Sequence, residues 1–78
     1  MWKKGTIKMR SGRIIVDCDY WVKVYDEGSV FGINEGKISK LMIRIGNDTT
    51  CNYDRGWDIE PEDEITRKVY EMLLEKYN

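Results

Sequence analysis

The sequence predicts an α+β fold, in which a four-stranded, mostly antiparallel sheet is followed by one C-terminal amphipathic helix. Residues 5–53 contain runs rich in Ile, Val, Tyr and Thr, separated by short segments with Gly, Asn or Asp, which is typical of strands joined by turns. Residues 62–77 change to apolar spacings of three and four, which is typical of a helix. With 78 residues, we expect a single domain spanning 1–78.

The predicted strands cover about residues 5–10, 13–25, 37–45 and 49–53. Between the first two strands, Ser11 and Gly12 predict a tight hairpin, because such turns need a residue at positive φ. The acidic pair that flanks Cys18 interrupts the apolar run of the second strand, so we expect a bulge or bend at residues 17–19. Three glycines and an asparagine in residues 26–37 predict a long loop.

Side-chain alternation assigns the second and third strands to two faces. The core face is predicted to carry Val22, Val24, Leu41, Ile43 and Ile45, with Tyr20 and Ser39 beside them. Ile38 falls on the other face in this pattern. The other face is not covered by the single predicted helix. It is the first candidate interaction surface, because Trp, Tyr, Met and Arg are enriched at interfaces. Its predicted members are Trp21, Lys23, Tyr25, Lys40, Met42 and Arg44.

The predicted helix covers about residues 62–77. Its apolar stripe is Ile65, Val69, Met72, Leu73 and Tyr77, and we expect Val69, Met72 and Leu73 to pack against the core residues of the sheet. Pro61 suits the first turn, and the acids at 62–64 suit the positive end of the helix dipole.

The segment NYDRGWD, residues 52–58, is dense in aromatic and charged groups. We interpret it as the hinge between the last strand and the helix, with Gly56 at positive φ. The alternative is functional: Asp54, Arg55, Trp57 and Asp58 form a second candidate interaction cluster. The first interpretation gives each of these residues a structural role, so we favour it.

The residue types argue against an enzyme. The chain has no histidine, which removes the commonest general base and a common metal ligand. Cys18 and Cys51 follow no metal-binding spacing, and we expect both to be reduced, although a disulfide stays open if their strands are neighbours. We therefore expect no catalytic residues, no metal and no cofactor.

The net charge of −1 conceals a pattern along the chain. Residues 1–16 carry five basic residues and no acid, and Trp2 lies among them. This pattern leaves single-stranded or duplex nucleic-acid binding as an alternative function. The acidic stretch at 58–64 leaves a second alternative, an inhibitor whose surface imitates DNA.

The stretch YWVKVYDEGSVFGINEGKISKL, followed by NYDRGWDIEP, resembles a family of small uncharacterised proteins. They occur in Gram-positive (Firmicutes) gut bacteria, their phages and their integrative elements. The resemblance covers residues 20–61, and NYDRGWD is its most specific part. It implies a mobile-element setting and no particular chemistry.

The most consistent function is a non-enzymatic protein-interaction module. Its partner would be an unidentified protein or a second copy of the chain. We expect a cytoplasmic location and no membrane association, since no run approaches the roughly 18 apolar residues of a membrane span and residues 1–10 lack a signal-like apolar segment.

Overall fold

The computed structural model describes all 78 residues as an antiparallel sheet with one α-helix packed on one face. The strands are β1 (Trp2–Ser11), β2 (Ile14–Val24), β3 (Ile38–Ile45), β4 (Asp48–Asp54) and β5 (Trp57–Ile59), and they lie side by side in chain order. A 3₁₀ turn spans Ile33–Glu35, and the helix α1 spans Glu64–Tyr77. The predicted fold class is confirmed, but the sheet has five strands, because part of NYDRGWD forms β5.

The first hairpin is longer than predicted and turns one residue later. Ser11 pairs with Ile14, so Gly12 and Arg13 form the two-residue loop. Gly12 has φ of 62°, which is the left-handed conformation that glycine adopts without steric cost. Trp2 pairs with Lys23, and the sheet therefore includes three N-terminal residues that the sequence pattern left outside it.

The predicted bulge at residues 17–19 is wrong. Residues 17 to 19 pair in unbroken register with β1, and Cys18 points into the core while its two neighbours point to the opposite face. Those acids have partners there: Lys8 Nζ lies 2.9 Å from Asp17 and Arg44 lies 3.7 Å from Asp19. The acids therefore follow the ordinary alternation of a strand that is half solvated.

A bulge occurs instead at the other end of β2. Lys23 pairs with Lys40, whereas Val24 pairs with Ile38, so Ser39 is the extra residue. Because a bulge changes the alternation, Ile38 is fully buried in the core. Its predicted position on the uncovered face is wrong for this reason.

The core lies between the sheet and α1. Eleven buried hydrophobic residues form it: Cys18, Tyr20, Val22, Ile33, Ile38, Leu41, Ile43, Cys51, Tyr53, Val69 and Leu73. The predicted core residues Val24 and Ile45 are only partly buried at its margin. Met72 is 45% exposed, so its predicted place in the core is wrong.

Asp63 caps α1 and defines where it begins. Its carboxylate accepts hydrogen bonds from the Thr66 N–H at 2.9 Å and from the Thr66 hydroxyl at 2.6 Å. The helix thus starts at Glu64, and Pro61 and Glu62 precede it, contrary to the predicted start at 62. No helix has the length and apolar character that a bilayer span needs.

Both cysteines are free and buried, as predicted. Cys18 lies on β2 and Cys51 on β4, and β3 separates these strands. The condition for a disulfide, neighbouring strands, is therefore not met. Burial raises the pKa of Cys51 to about 12, so this thiol stays protonated at neutral pH.

Candidate functional site

The segment NYDRGWD is the turn of the β4–β5 hairpin and not a hinge before the helix. Tyr53 pairs with Trp57 across this turn. The residue at positive φ is Arg55, with φ of 60°, and Gly56 is not among the residues in that region. The predicted conformation of Gly56 is therefore wrong, and a non-glycine residue carries the turn.

Two contacts fix the position of Arg55, and a third holds its neighbour Phe31. Its backbone N–H donates to the Ser39 carbonyl at 3.0 Å. Its guanidinium carbon lies 4.4 Å from the centroid of the Phe31 ring. The Phe31 carbonyl in turn accepts a hydrogen bond from the Tyr53 hydroxyl at 2.8 Å. The β4–β5 turn and the loop at 26–37 therefore form one connected unit.

The loop itself is compact, since its ends and its middle are tied to the rest of the fold. The Asn78 side chain donates to the Ile33 carbonyl at 3.1 Å and accepts from the Ile38 N–H at 3.0 Å. A Cβ on Gly32 would collide with the backbone of Gly36, so this close approach requires glycine. The loop is thus a structured wall of the adjoining cavity.

That cavity has a volume of about 450 Å³ and lies where β2, the bulge in β3, the loop and the β4–β5 turn meet. We call it the cationic pocket. It is lined by Lys23, Tyr25, Glu27, Ser29, Phe31, Ser39, Lys40 and Arg55. Three lining residues are basic and one is acidic, which gives the lining a formal charge of 3 − 1 = +2.

The pKa of Tyr25 is consistent with a positive electrostatic potential in this pocket. Its pKa is lowered, first by the hydrogen bond and charge of Lys23 and more weakly by Ser39 and Lys40. The Lys23 ammonium also lies 5.5 Å from the centroid of the Tyr25 ring. Positive charge at this place favours a negatively charged group.

Ser39 is the unusual polar group of the pocket. It is only 5% exposed, and its hydroxyl oxygen has no hydrogen-bond partner in the structure. Tyr25 lies near enough for its pKa to respond to Ser39, but the two hydroxyls do not form a hydrogen bond of normal geometry. Buried hydroxyls are nearly always paired, so this one requires an explanation.

A second, more apolar cavity lies on the side of the sheet opposite α1, which we call the open face. It measures about 360 Å³ and is lined by Trp2, Trp21, Lys40, Leu41, Met42, Asn52, Tyr53 and Asp54. We call it the tryptophan groove. Trp2 is 55% exposed, and the guanidinium of Arg44 lies 5.1 Å from the Trp21 ring.

Five of the six residues of the first predicted surface line the two cavities, and the sixth, Arg44, contacts the Trp21 ring. Trp21, Lys40 and Met42 line the tryptophan groove, and Lys40 also lines the cationic pocket. Lys23 and Tyr25 line the pocket alone.

Sequence reasoning named Trp2 only for the nucleic-acid alternative and missed its place beside Trp21, because the first strand was predicted to begin at Gly5. It also missed Ser39, because alternation placed this residue in the core. Within residues 1–7, only Trp2 and the β-branched pair Thr6 and Ile7 favoured a strand, which was too little to predict a β1 that begins at Trp2.

The four residues of the second predicted cluster make separate contacts in the structure. Arg55 faces the cationic pocket, and Asp54 lies 3.5 Å from the Lys40 ammonium. Asp58 accepts a hydrogen bond from Asn52 at 3.0 Å. Trp57 instead packs edge-on against Tyr53 and Tyr70, with ring centroids 5.1 and 5.5 Å apart, so its role is to pack β5 against α1.

A third cavity, of about 530 Å³, separates β5 from the start of α1. Its lining includes four acids: Asp58, Glu60, Glu62 and Asp63. Two of them already have partners, since Asp58 accepts from Asn52 and Asp63 caps the helix. Two of the four acids in this cavity therefore have a structural role, one in the β4–β5 hairpin and one in the helix cap.

The chain matches no curated protein and no solved structure. One family model does match, and it covers every residue from 1 to 78. The chain belongs to the family described as "Domain of unknown function (DUF7678)".

Proposed function

We propose that this protein is a non-enzymatic interaction module that docks one partner protein on its open face. The single observation that carries this proposal is the tryptophan groove, an apolar cavity between two tryptophans on a face that no other element covers. Anchor residues of protein interfaces fill pockets of this kind, and Trp and Arg are the side chains enriched there.

The charges around the groove indicate the chemistry of the partner. Lys4 lies directly opposite Trp21 in the sheet and makes none of the four ion pairs of the structure. Lys40 lies on the groove margin, and its ion pair with Asp54 is long and exposed. An acidic segment with one apolar anchor residue complements this surface, because complementary charge steers association and excludes wrong partners.

Single-stranded nucleic acid is the competing ligand for the same face. Bases can stack on exposed aromatic rings while lysines contact the phosphates, and Trp2 and Lys4 offer both groups. The acids on this face, Asp17, Asp19 and Asp54, work against a continuous phosphate track. We therefore favour the protein partner and treat nucleic acid as the outcome that would replace it.

The DNA-mimicking inhibitor would use the acidic cavity instead of the open face. Such a surface needs carboxylates free to replace phosphates. Glu60 and Glu62 make no ion pair in the structure, whereas the other two acids of the lining are hydrogen-bonded. Whichever surface binds the partner, we propose that the protein acts in the cytoplasm as part of a bacterial mobile element.

The test compares two double variants with the parent protein. Trp2→Ser/Trp21→Ser removes the aromatic walls of the groove. Ile14→Ser/Ile15→Ser is the matched control, because these isoleucines are also exposed, at 66% and 51%, but lie at the far tip of the first hairpin. Both variants must first show the melting temperature of the parent.

A partner is isolated from a bacterial lysate with the parent protein, purified, and titrated against all three proteins at two salt concentrations. We expect the tryptophan variant to bind at least about tenfold more weakly, as for the loss of a hot-spot residue, and the control to bind like the parent. Equal binding by both variants would refute docking at the groove. Binding of a single-stranded oligonucleotide that falls steeply with salt and requires the tryptophans would replace the protein partner by nucleic acid.

A further inference from the structure

We propose that the cationic pocket binds a phosphate group through Lys23, Arg55 and the buried hydroxyl of Ser39. This proposal rests on the proposed function only for the origin of the phosphate, which we assign to a phosphorylated side chain of the docked partner. The pocket and the tryptophan groove share Lys40, so one bound segment can reach both cavities.

The charge of the pocket suits a dianion. Its basic groups come from three separate elements: Lys23 from β2, Lys40 from β3, and Arg55 from the β4–β5 turn. Glu27 is the one acid of the lining, which leaves the charge of +2 derived above. A phosphate monoester carries about −1.5 to −2 charges at neutral pH, whereas a carboxylate carries one.

The backbone conformation and the ring contact of Arg55 position its guanidinium for such a ligand. Its positive φ is uncommon for a residue with a side chain, and strained backbone of this kind clusters at ligand-binding sites. The Phe31 ring contacts one side of the guanidinium, and Arg55 makes none of the four ion pairs of the structure. Its N–H groups are therefore free for the two parallel hydrogen bonds that Arg donates to phosphate.

Ser39 distinguishes this pocket from an ordinary patch of solvated lysines. Surface lysines need no ligand, because water satisfies them. The Ser39 hydroxyl is shielded from water and has no partner, and leaving a buried polar group unpaired destabilises the fold. A deprotonated phosphate oxygen is a hydrogen-bond acceptor, so it can accept the hydrogen bond that this hydroxyl has to donate. A phosphate oxygen can therefore pair with the hydroxyl once a side chain of the pocket lining changes rotamer to admit the ligand.

The bulge explains why a serine lies at this place. An uninterrupted β3 would place residue 39 in the hydrophobic core, whereas the bulge opposite Lys23 turns it toward the pocket. Bulges re-aim side chains next to binding sites. The Ser39 carbonyl is occupied by the Arg55 N–H, and this hydrogen bond keeps the serine and the arginine in a fixed relation.

The experiment is a two-dimensional ¹⁵N–¹H NMR titration of the full chain with inorganic phosphate, and then with phosphoserine. Acetate at matched ionic strength is the control ligand. Three single variants are compared with the parent: Ser39→Ala, Arg55→Gln and, as the control outside the pocket, Arg13→Gln, which lies in the turn of the first hairpin. We expect phosphate to shift the amide signals of residues 25–31, 39–40 and 55, with acetate binding clearly more weakly.

Loss of one hydrogen bond to a charged group lowers affinity roughly tenfold or more, so we expect this loss in Ser39→Ala and Arg55→Gln and an unchanged affinity in Arg13→Gln. Ser39→Ala should also melt at the same temperature as the parent or higher, because it removes the unpaired hydroxyl. This combination of weaker binding and undiminished stability separates a ligand-binding serine from a structural one.

Three results would overturn the proposal: no shift at the pocket with phosphate, equal binding of acetate and phosphate, or unchanged phosphate affinity in both pocket variants. Phosphate binding at the pocket without any effect of the tryptophans on a partner would refute the proposed function and leave the pocket intact. Partner binding at the groove without phosphate binding would do the reverse. Tighter binding of phosphoserine than of free phosphate supports the assigned source, and equal binding overturns it.

Discussion

The guanidinium carbon of Arg55 lies 4.4 Å from the centroid of the Phe31 ring. This contact joins the β4–β5 turn to a loop that precedes it by more than twenty residues. Phe31 remains 49% exposed, so the stack lies at the surface, where such pairs contribute about 0.5–1 kcal/mol. Its consequence is mainly positional, because it orients the arginine at the edge of the cationic pocket.

The turns provide the first prediction, a contrast between two glycines. Gly12 has φ of 62°, and an alanine there should lower the free energy of unfolding by about 1 kcal/mol. Gly56 lies outside the positive-φ region, and nothing lies within 4 Å of an added Cβ. Gly56→Ala should therefore be neutral or slightly stabilising. Urea denaturation of the two variants measures both effects.

Equal destabilisation by the two substitutions would contradict this assignment of the turns. Arg55→Gly serves as a further comparison, since it relieves the positive φ of that residue but loses the stack on Phe31. We expect its stability to stay within about 1 kcal/mol of the parent, because the two effects oppose one another.

Much of the sheet follows from the sequence because alternation is a strong physical constraint. Tyr20 and Val22 are buried while Trp21 and Lys23 are not, as the period of two requires. The rule fails at Ser39, where the bulge breaks the period. No glycine or proline marks this place, and pairing with a distant strand determines it.

The candidate site depends on structural features that sequence patterns cannot predict. The strand β5 has three residues, too few for any periodicity, so the turn before it resembled a hinge. Arg55 takes the positive φ although a glycine follows it, because tertiary contacts with Ser39 and Phe31 hold it there. The two cavities also combine residues from segments whose spatial order the sequence left open.

The second prediction concerns the cap of α1. Burial acts to raise the pKa of Asp63, but the hydrogen bonds that its carboxylate accepts from Thr66 outweigh this effect, so the pKa is lowered. Asp63→Ala should lower the free energy of unfolding by about 1 kcal/mol. Asp63→Asn keeps an acceptor and should retain part of that stability, which thermal or urea denaturation at neutral pH can measure.

The pH dependence of this effect has a definite sign. A carboxylate with a depressed folded-state pKa stabilises the protein above its unfolded-state pKa of about 3.9, and this contribution is lost as the pH falls through the lower folded-state pKa. The stability difference between the parent and Asp63→Asn should therefore be constant from pH 6 to pH 5 and shrink below about pH 4. A difference that persists unchanged to pH 2 would show that the charge of Asp63 plays no part.

The last prediction contrasts two positions of α1 that the apolar pattern of the sequence treats alike. Val69 is fully buried, whereas Met72 is 45% exposed, because the buried stripe runs through Thr66, Val69 and Leu73 and turns Met72 toward solvent. Val69→Asp places an unpaired charge in the core and should cost several kcal/mol, enough to unfold a domain of this size. Met72→Asp introduces the same charge on the same helix, so it controls for helix propensity and for added charge, and it should cost about 1 kcal/mol or less. Circular dichroism melts of the two variants measure this difference, and similar melting temperatures would mean that α1 does not pack on the sheet through the stripe described here.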